Sequence, residues 1–336
     1  MTSRRTIGLI IAVVALAAAA MLSLALGTKS IPAGTILDAL RPGALPGPGQ
    51  AEDFQIVRDL RVPRTVLGLV AGLALGLAGG VMQALTRNPL ADPGILGINA
   101  GAAAAVVLAI RFLGVGSVTG YIWFAFGGAA AAFTVVYFLG TRGRSGASPQ
   151  RLALAGAAVG AALLSVTNAV ALLDVSTFDR YRLWVVGSLA GGDLDVAASA
   201  GWFVAAGALL ALALGRPLNA LALGADSAQA LGAHVGRTRL LTAVAITVLC
   251  GAATAAIGPV AFLGLAVPHA ARAFVGPDQR WLLPYCAVLA PVVLLVADVV
   301  GRLVVRPGEL EAGLVTALIG APVFLAIVLR RRIGHL

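Results

Sequence analysis

Ten stretches of this chain are apolar enough to lie in a membrane, and little else in it could form a water-exposed fold. Of its 336 residues, 60% are hydrophobic and only 11% are charged, against about 25% charged in a soluble domain. A hydrocarbon core takes roughly 20 apolar residues per helical span. The expected spans are 7–26, 64–85, 99–113, 121–139 and 152–173 in the first half. In the second half they are 196–214, 241–257, 260–275, 282–300 and 313–329. The reading is therefore all-α, a polytopic membrane protein of about ten transmembrane helices forming one domain over residues 1–336. The third and eighth spans are short, so any non-helical backbone at that depth must be shielded by protein. No periodic repeat and no soluble domain is visible, and the longest polar connection is 27–59.

The chain carries 24 basic and 14 acidic residues, and its only lysine is Lys29. A basic balance can mark a nucleic-acid partner, but here the arginines flank apolar spans, so a lipid bilayer is expected and nucleic acid is not. With the N-terminus inside and the spans alternating, fourteen of the basic residues and three of the acids, Asp92, Asp226 and Asp278, fall on the inner side. Lysine and arginine bias toward the cytoplasm sets orientation, so both termini, including Arg330-Arg331-Arg332, are expected to be cytoplasmic. Arg4-Arg5 before the apolar run 7–26 has the look of a signal peptide. Such an apolar core is only about 7–15 residues, and the run is read as a retained first helix. Cys250 and Cys286 lie in apolar stretches and read as inert packing residues.

Gly68, Gly72 and Gly76 recur every four positions, as do Gly156 and Gly160. This spacing lets helix backbones approach closely and reads first as bundle packing; a smooth surface that slides during transport is the alternative. No phosphate-cradling G-x-x-x-x-G-K-[ST] loop occurs, no cluster has metal-ligand spacing, and no nucleophilic triad stands out. No metal or cofactor is expected. The middles of the spans carry almost no ionisable residues, which ion-coupled carriers usually keep. Uphill movement of a solute would draw its energy from another polypeptide.

Arg61-Val-Pro-Arg64, a Gly-rich helix, and then the run from Gln83 through Leu85-Thr86-Arg87-Asn88-Pro89-Leu90-Ala91-Asp92-Pro93 to Gly97 set a distinctive pattern. Three later segments continue it: Leu218-Asn219 to Gly224, Gly258-Pro259 to Gly264 and on to Pro268-His269, and Gly320-Ala321-Pro322-Val323-Phe324. In order and over almost the whole chain, the sequence resembles the FecCD-type permease subunits of bacterial ABC importers for iron-siderophores, haem and vitamin B12. The 85–93 run and the ending Arg306-Pro307-Gly308-Glu309-Leu310-Glu311-Ala312-Gly313 look most like the ferric-enterobactin branch. Many members have Pro-Val where Glu311-Ala312 stand here.

The resemblance implies a type II ABC importer permease architecture: ten helices per subunit, two permease subunits around a central path, cytoplasmic ATP-binding subunits and an external substrate-binding lipoprotein. It implies a subunit that is not itself an enzyme. A ferric siderophore is the preferred solute, with haem or cobalamin behind it. The competing classes are an ion-coupled secondary transporter and a membrane scaffold without transport. A heterodimer of two similar permeases is expected from the branch, a homodimer being the alternative.

Site residues follow from both readings. In the loop 218–239, Asn219, Gly224, Asp226, Ser227, Ala228 and Gly232 resemble the coupling motif of ABC permeases. Physically they spell short helix, glycine break and second short helix; a plain amphipathic connector on the membrane surface is the alternative. Arg61, Arg64 and Arg302 match arginines that face acidic residues on the binding protein in the family; ordinary interfacial anchoring is the alternative. Ser148, Pro149 and Gln150 match the family's cytoplasmic gate, and Ser165, Thr167 and Asn168 are the polar candidates for the path. Asn88, Pro89, Pro93 and Gly97 read as a structural turn and His269 as a hydrogen-bonded structural residue. Asp298 is expected to pair with Arg302 at i,i+4 spacing.

Overall fold

A computed structural model describes residues 2–141, 149–230 and 232–333. The first helix, α1 (Thr2–Ala25), is followed by two short ones, α2 (Ala33–Leu40) and α3 (Ala51–Gln55). A π-helical turn, Ile56–Arg61, then runs without a break into α4 (Val62–Thr86), whose Pro63 sits in its first turn, where no donor is needed. A 3₁₀ turn, Pro93–Leu96, leads to α5 (Ile98–Leu113), followed by α6 (Val118–Thr141) and α7 (Pro149–Leu172). A short α8 (Val175–Val185) precedes α9 (Leu194–Ala213). Then come α10 (Gly215–Ala222), α11 (Ala225–Ala230), α12 (Val235–Ile257), α13 (Leu263–Val275), α14 (Gln279–Val304) and α15 (Ala312–Ile333).

Among the described residues, seven helices are long and apolar enough to cross a membrane, and α5, α13 and α15 are the shorter apolar ones. Each of the ten expected spans has its helix. The polar connection 27–59, however, is not bare: Ile31, Ile36, Ala39, Phe54 and Val57 bury one another in a small core of their own. Arg58 closes it by donating to the carbonyl oxygens of Ala39, Arg41 and Ala44.

The bundle is organised around α4 and α12, the two most enclosed spans. Helix α4 packs on α14, α12, α9 and α13. Its glycine row is the reason it can. A methyl at Gly68 would stand 2.5 Å from Leu295, one at Gly72 would stand 2.5 Å from Cα of Pro291, and one at Gly76 would overlap the carbonyl oxygen of Cys286. The packing reading of the row therefore holds. Both cysteines are buried and free.

The short eighth span is explained by what shields it. After α12 ends, residues 258–262 are not helical, and α13 starts only at Leu263. The main chain there lies against the end of α8 and the start of α15, with Gly187, Gly258 and Gly313 in place of any side chain that would collide. Ser188 N donates to the Ile257 carbonyl at 2.8 Å, and Gly313 N donates to the Gly187 carbonyl at 2.8 Å. Irregular backbone at membrane depth is thus satisfied by protein rather than exposed to lipid.

Candidate functional site

The helices place two groups of functional candidates at opposite ends of the bundle. At one end is the elbow of α10 and α11. Gly224 (φ +108°) separates the two short helices and Gly232 (φ +81°) ends the second, both in the region that favours glycine. Ala228 is buried against Leu221 and Val235, next to Leu85 at the end of α4. Asp226, Ser227, Gln229 and Gly232 face outward. An acid, a small buried residue and a glycine at this spacing therefore have distinct tasks: an exposed charge, a close contact and a sharp exit.

The elbow is fastened to the bundle by Asn219. Its Nδ2 donates to Asp278 Oδ1 at 2.6 Å, and its Oδ1 accepts from Gln279 N at 2.8 Å. Asp278 in turn caps the start of α14 and pairs with Arg280 at 2.9 Å. The Arg280 side chain, helped by the Asn219 amide, holds the Asp278 carboxyl well below the usual carboxylate range. Helix α10 is therefore tied to the N-terminus of α14 by two hydrogen bonds. The sequence pattern marked Asn219 but not this partner, 59 residues away.

Beside the elbow, Asn88 Oδ1 accepts from Leu90 N, and Asp92 caps the 3₁₀ turn by accepting from Gly94 N at 2.8 Å. With Gly97 at φ +74°, this is the structural turn expected from Asn88, Pro89, Pro93 and Gly97. A cavity of about 130 Å³ near the end of α4 is lined by Leu85, Arg87, Tyr137, Ala225 and Arg239 among others. His269 lies on α13 directly after Pro268, half-exposed.

At the opposite end, Arg61, Arg64 and Arg302 are brought together, as their shared side predicted, but not on an open surface. They are 4%, 8% and 2% exposed within this chain. Arg64 clasps Asp298 through Nε and Nη2 at 2.7–3.1 Å and reaches Glu309 at 2.7 Å with Nη1. Arg302 pairs with the same Asp298 at 2.8 Å, the expected i,i+4 contact. Its Nη1 and Nη2, and the Nη groups of Arg61, donate at and just beyond the end of α1, while Arg302 Nε is buried with no hydrogen-bond partner among the described residues. Arg302 bonds the carbonyls of Ser23 and Leu26, and Arg61 those of Leu24, Ala25 and Lys29. Carbonyls at a helix C-terminus have no partners within the helix and carry partial negative charge, so they are natural acceptors for buried guanidiniums. The three arginines and Glu309 line a cavity of about 290 Å³.

The path candidates divide. Ser148 lies outside the described residues. Pro149 and Gln150 begin α7. Thr167 is buried and donates back to the Leu163 carbonyl, so it points into the bundle. Ser165 and Asn168 are exposed on one face of α7 together with Ala158, Ala161 and Ala162. Among the described residues, nothing covers that face.

A model of the FecCD transport family matches residues 15–330. The chain belongs to the FecCD transport family. The ferric enterobactin transport system permease FepD of Escherichia coli strain K12 is 48% identical over 316 residues, covering 94% of this chain and 93% of FepD. A relative named as a probable siderophore transport system permease, YfiZ of Bacillus subtilis strain 168, is 40% identical over 82% of this chain and 83% of its own length. A solved ABC transporter described as of metal-chelate type, in an inward-facing conformation, superposes with a TM-score of 0.81 at 26% identity, covering 95% of this chain and 97% of that one. As a FecCD protein the chain is a multi-pass transport component of the membrane with no ATP site of its own.

Proposed function

We propose that this chain is the permease subunit of an ABC importer that carries a ferric siderophore across the cytoplasmic membrane, driven by a separate ATPase. The observation that carries this is the near full-length 48% identity to FepD, joined to an elbow built as a rigid, two-point connector. The end bearing α10 and α11 faces the cytoplasm in this reading, and both termini with it. Asp226, Ser227 and Gln229 present the contact for the ATPase. The exposed face of α7, small residues with Ser165 and Asn168, meets the path and the second permease. That second subunit is a similar but distinct chain, the arrangement common in the ferric-enterobactin branch. Asp298 is held between two guanidiniums and so is not a free carboxylate for ion coupling.

The external binding lipoprotein docks over the cavity of Arg61, Arg64 and Arg302. Since these charges are enclosed, an incoming carboxylate acts by entering the cavity and competing with Glu309, the more exposed of Arg64's two partners at 30%. Charge complementarity of this kind gives register and on-rate more than affinity.

The test is uptake of radiolabelled iron in cells lacking other siderophore permeases and expressing this chain with its ATPase, second permease and binding protein. Ferric enterobactin is expected to be taken up and to be competed by excess unlabelled ferric catecholate, but not by haemin or cobalamin. Uptake that persists when ATP is depleted while the ion gradient is kept would contradict the reading.

A further inference from the structure

At the connector end, α1, the end of α13 and the start of α14 enclose an open cleft of about 740 Å³. Its mouth carries Arg4 and Arg5, and its walls are Ile11, Ala15, Phe274 and Leu289. The Tyr285 hydroxyl lies at the same mouth and donates to the Arg5 carbonyl at 2.6 Å. Neither arginine takes part in the ion pairs among the described residues, which use Lys29, Arg41, Arg64, Arg182, Arg280 and Arg302. Both also stand in the first turn of α1, where the helix dipole is positive and disfavours cations. An anion at the mouth would relieve both conditions. The walls below it are apolar for more than two turns of α1.

We infer that this cleft binds an anionic phospholipid, its phosphate between Arg4 and Arg5 and an acyl chain along Ile11, Ala15, Phe274 and Leu289. A basic mouth at the end of a membrane helix over an apolar groove matches both halves of such a lipid, and a basic pocket between spans is the usual setting for one. The outer surface of α1 supports lipid rather than protein as the occupant. Ile7, Ile10, Val13, Val14 and Met21 are all exposed there, large side chains unlike the small ones that line helix–helix contacts in membranes. The inference rests only on the chain's being a membrane protein, and it stands or falls apart from the choice of solute.

The test is native mass spectrometry of the assembled transporter in detergent, with dioleoyl phosphatidylglycerol added and dioleoyl phosphatidylcholine as the neutral probe. Two surface charges near an anionic lipid are worth about tenfold or more in retention. Arg4→Gln with Arg5→Gln is therefore expected to lower phosphatidylglycerol retention by that factor. Arg41→Gln with Arg182→Gln, which removes the same charge at the other end, leaves it unchanged. Ala15→Phe fills the groove with both arginines in place and is expected to lower retention as well. Equal retention of the two lipids, equal retention by wild type and the Arg4/Arg5 variant, or full retention by Ala15→Phe would each overturn the site.

Discussion

Replacing Asp298 with asparagine is expected to destabilise the chain by about 3–5 kcal/mol, because it strips a buried ion cluster of its central anion. Asp298 is fully buried and is shared by Arg64 and Arg302. Without it, both guanidiniums remain enclosed with Glu309 as the sole remaining acid on Arg64. Arg302 also holds the end of α1, so the loss spreads to the docking of that helix. The measurement is thermal unfolding of the purified protein in detergent, together with the yield of monodisperse protein. Asp179→Asn is the comparison. It removes an exposed i,i+3 pair with Arg182 and should change stability by about 0–1 kcal/mol. Equal unfolding temperatures for the two variants would show that the cluster does not hold the bundle together.

A second large effect is expected at Gly72. Valine there would press its Cβ against Cα of Pro291 at 2.5 Å, and this obstacle is backbone that cannot rotate away. Overpacking usually costs about 1–3 kcal/mol, and a backbone obstacle puts Gly72→Val at the upper end or beyond. Helices α4 and α14 would have to separate, and α14 carries both Asp298 and the contact with Asn219. Gly127→Ala is the control, since a Cβ there meets nothing within 4 Å, and it should be neutral or slightly stabilising. Unfolding temperature and assembly with the second permease report on both. An unchanged Gly72→Val protein would mean that α4 and α14 are not packed as described.

What could be read in advance follows from the range of each signal. All ten spans were legible because a largely apolar run of fifteen or more residues is a local pattern, and the small-residue row of α4 was legible for the same reason. Gly232 could be read as a break because glycine at the edge of a short helical run has a local conformational meaning, but the break between the two short helices lies at Gly224, and Gly232 follows the second of them. The polar side chains were harder. Arg64 meets Asp298 across 234 positions, and no spacing rule connects them. The signal that could have found the pair was Asp298 itself, an acid in an apolar span that one i,i+4 arginine does not fully satisfy. The contacts of Arg61 were hidden for a related reason. Docking to a partner and surface anchoring are the two readings of an arginine near a helix end, and neither shows that its donors reach the C-terminus of another helix. The small core of 27–59 was hidden because its five apolar residues are scattered through a segment rich in proline and glycine. The partner of Asn219 was equally invisible, since the side chain's place on the elbow says nothing of what lies 59 residues on.

In the proposed mechanism the elbow from Gly224 to Gly232 transmits the work of an ATPase to the bundle through Asn219 and α14. The decisive variant is Gly232→Val. A Cβ at Gly232 meets no neighbour within 4 Å, so the substitution acts through φ +81° alone, a conformation that costs a side-chain-bearing residue roughly 1–2 kcal/mol and suits a β-branched one least. The measurement is made in proteoliposomes holding the complete transporter, with binding protein and ferric enterobactin, following ATP-driven uptake and binding-protein-stimulated ATP hydrolysis side by side. The variant is expected to assemble with its second permease in normal amounts while uptake and stimulated hydrolysis fall together. Uptake and stimulated hydrolysis at wild-type rates, in a transporter assembled at wild-type yield, would contradict it.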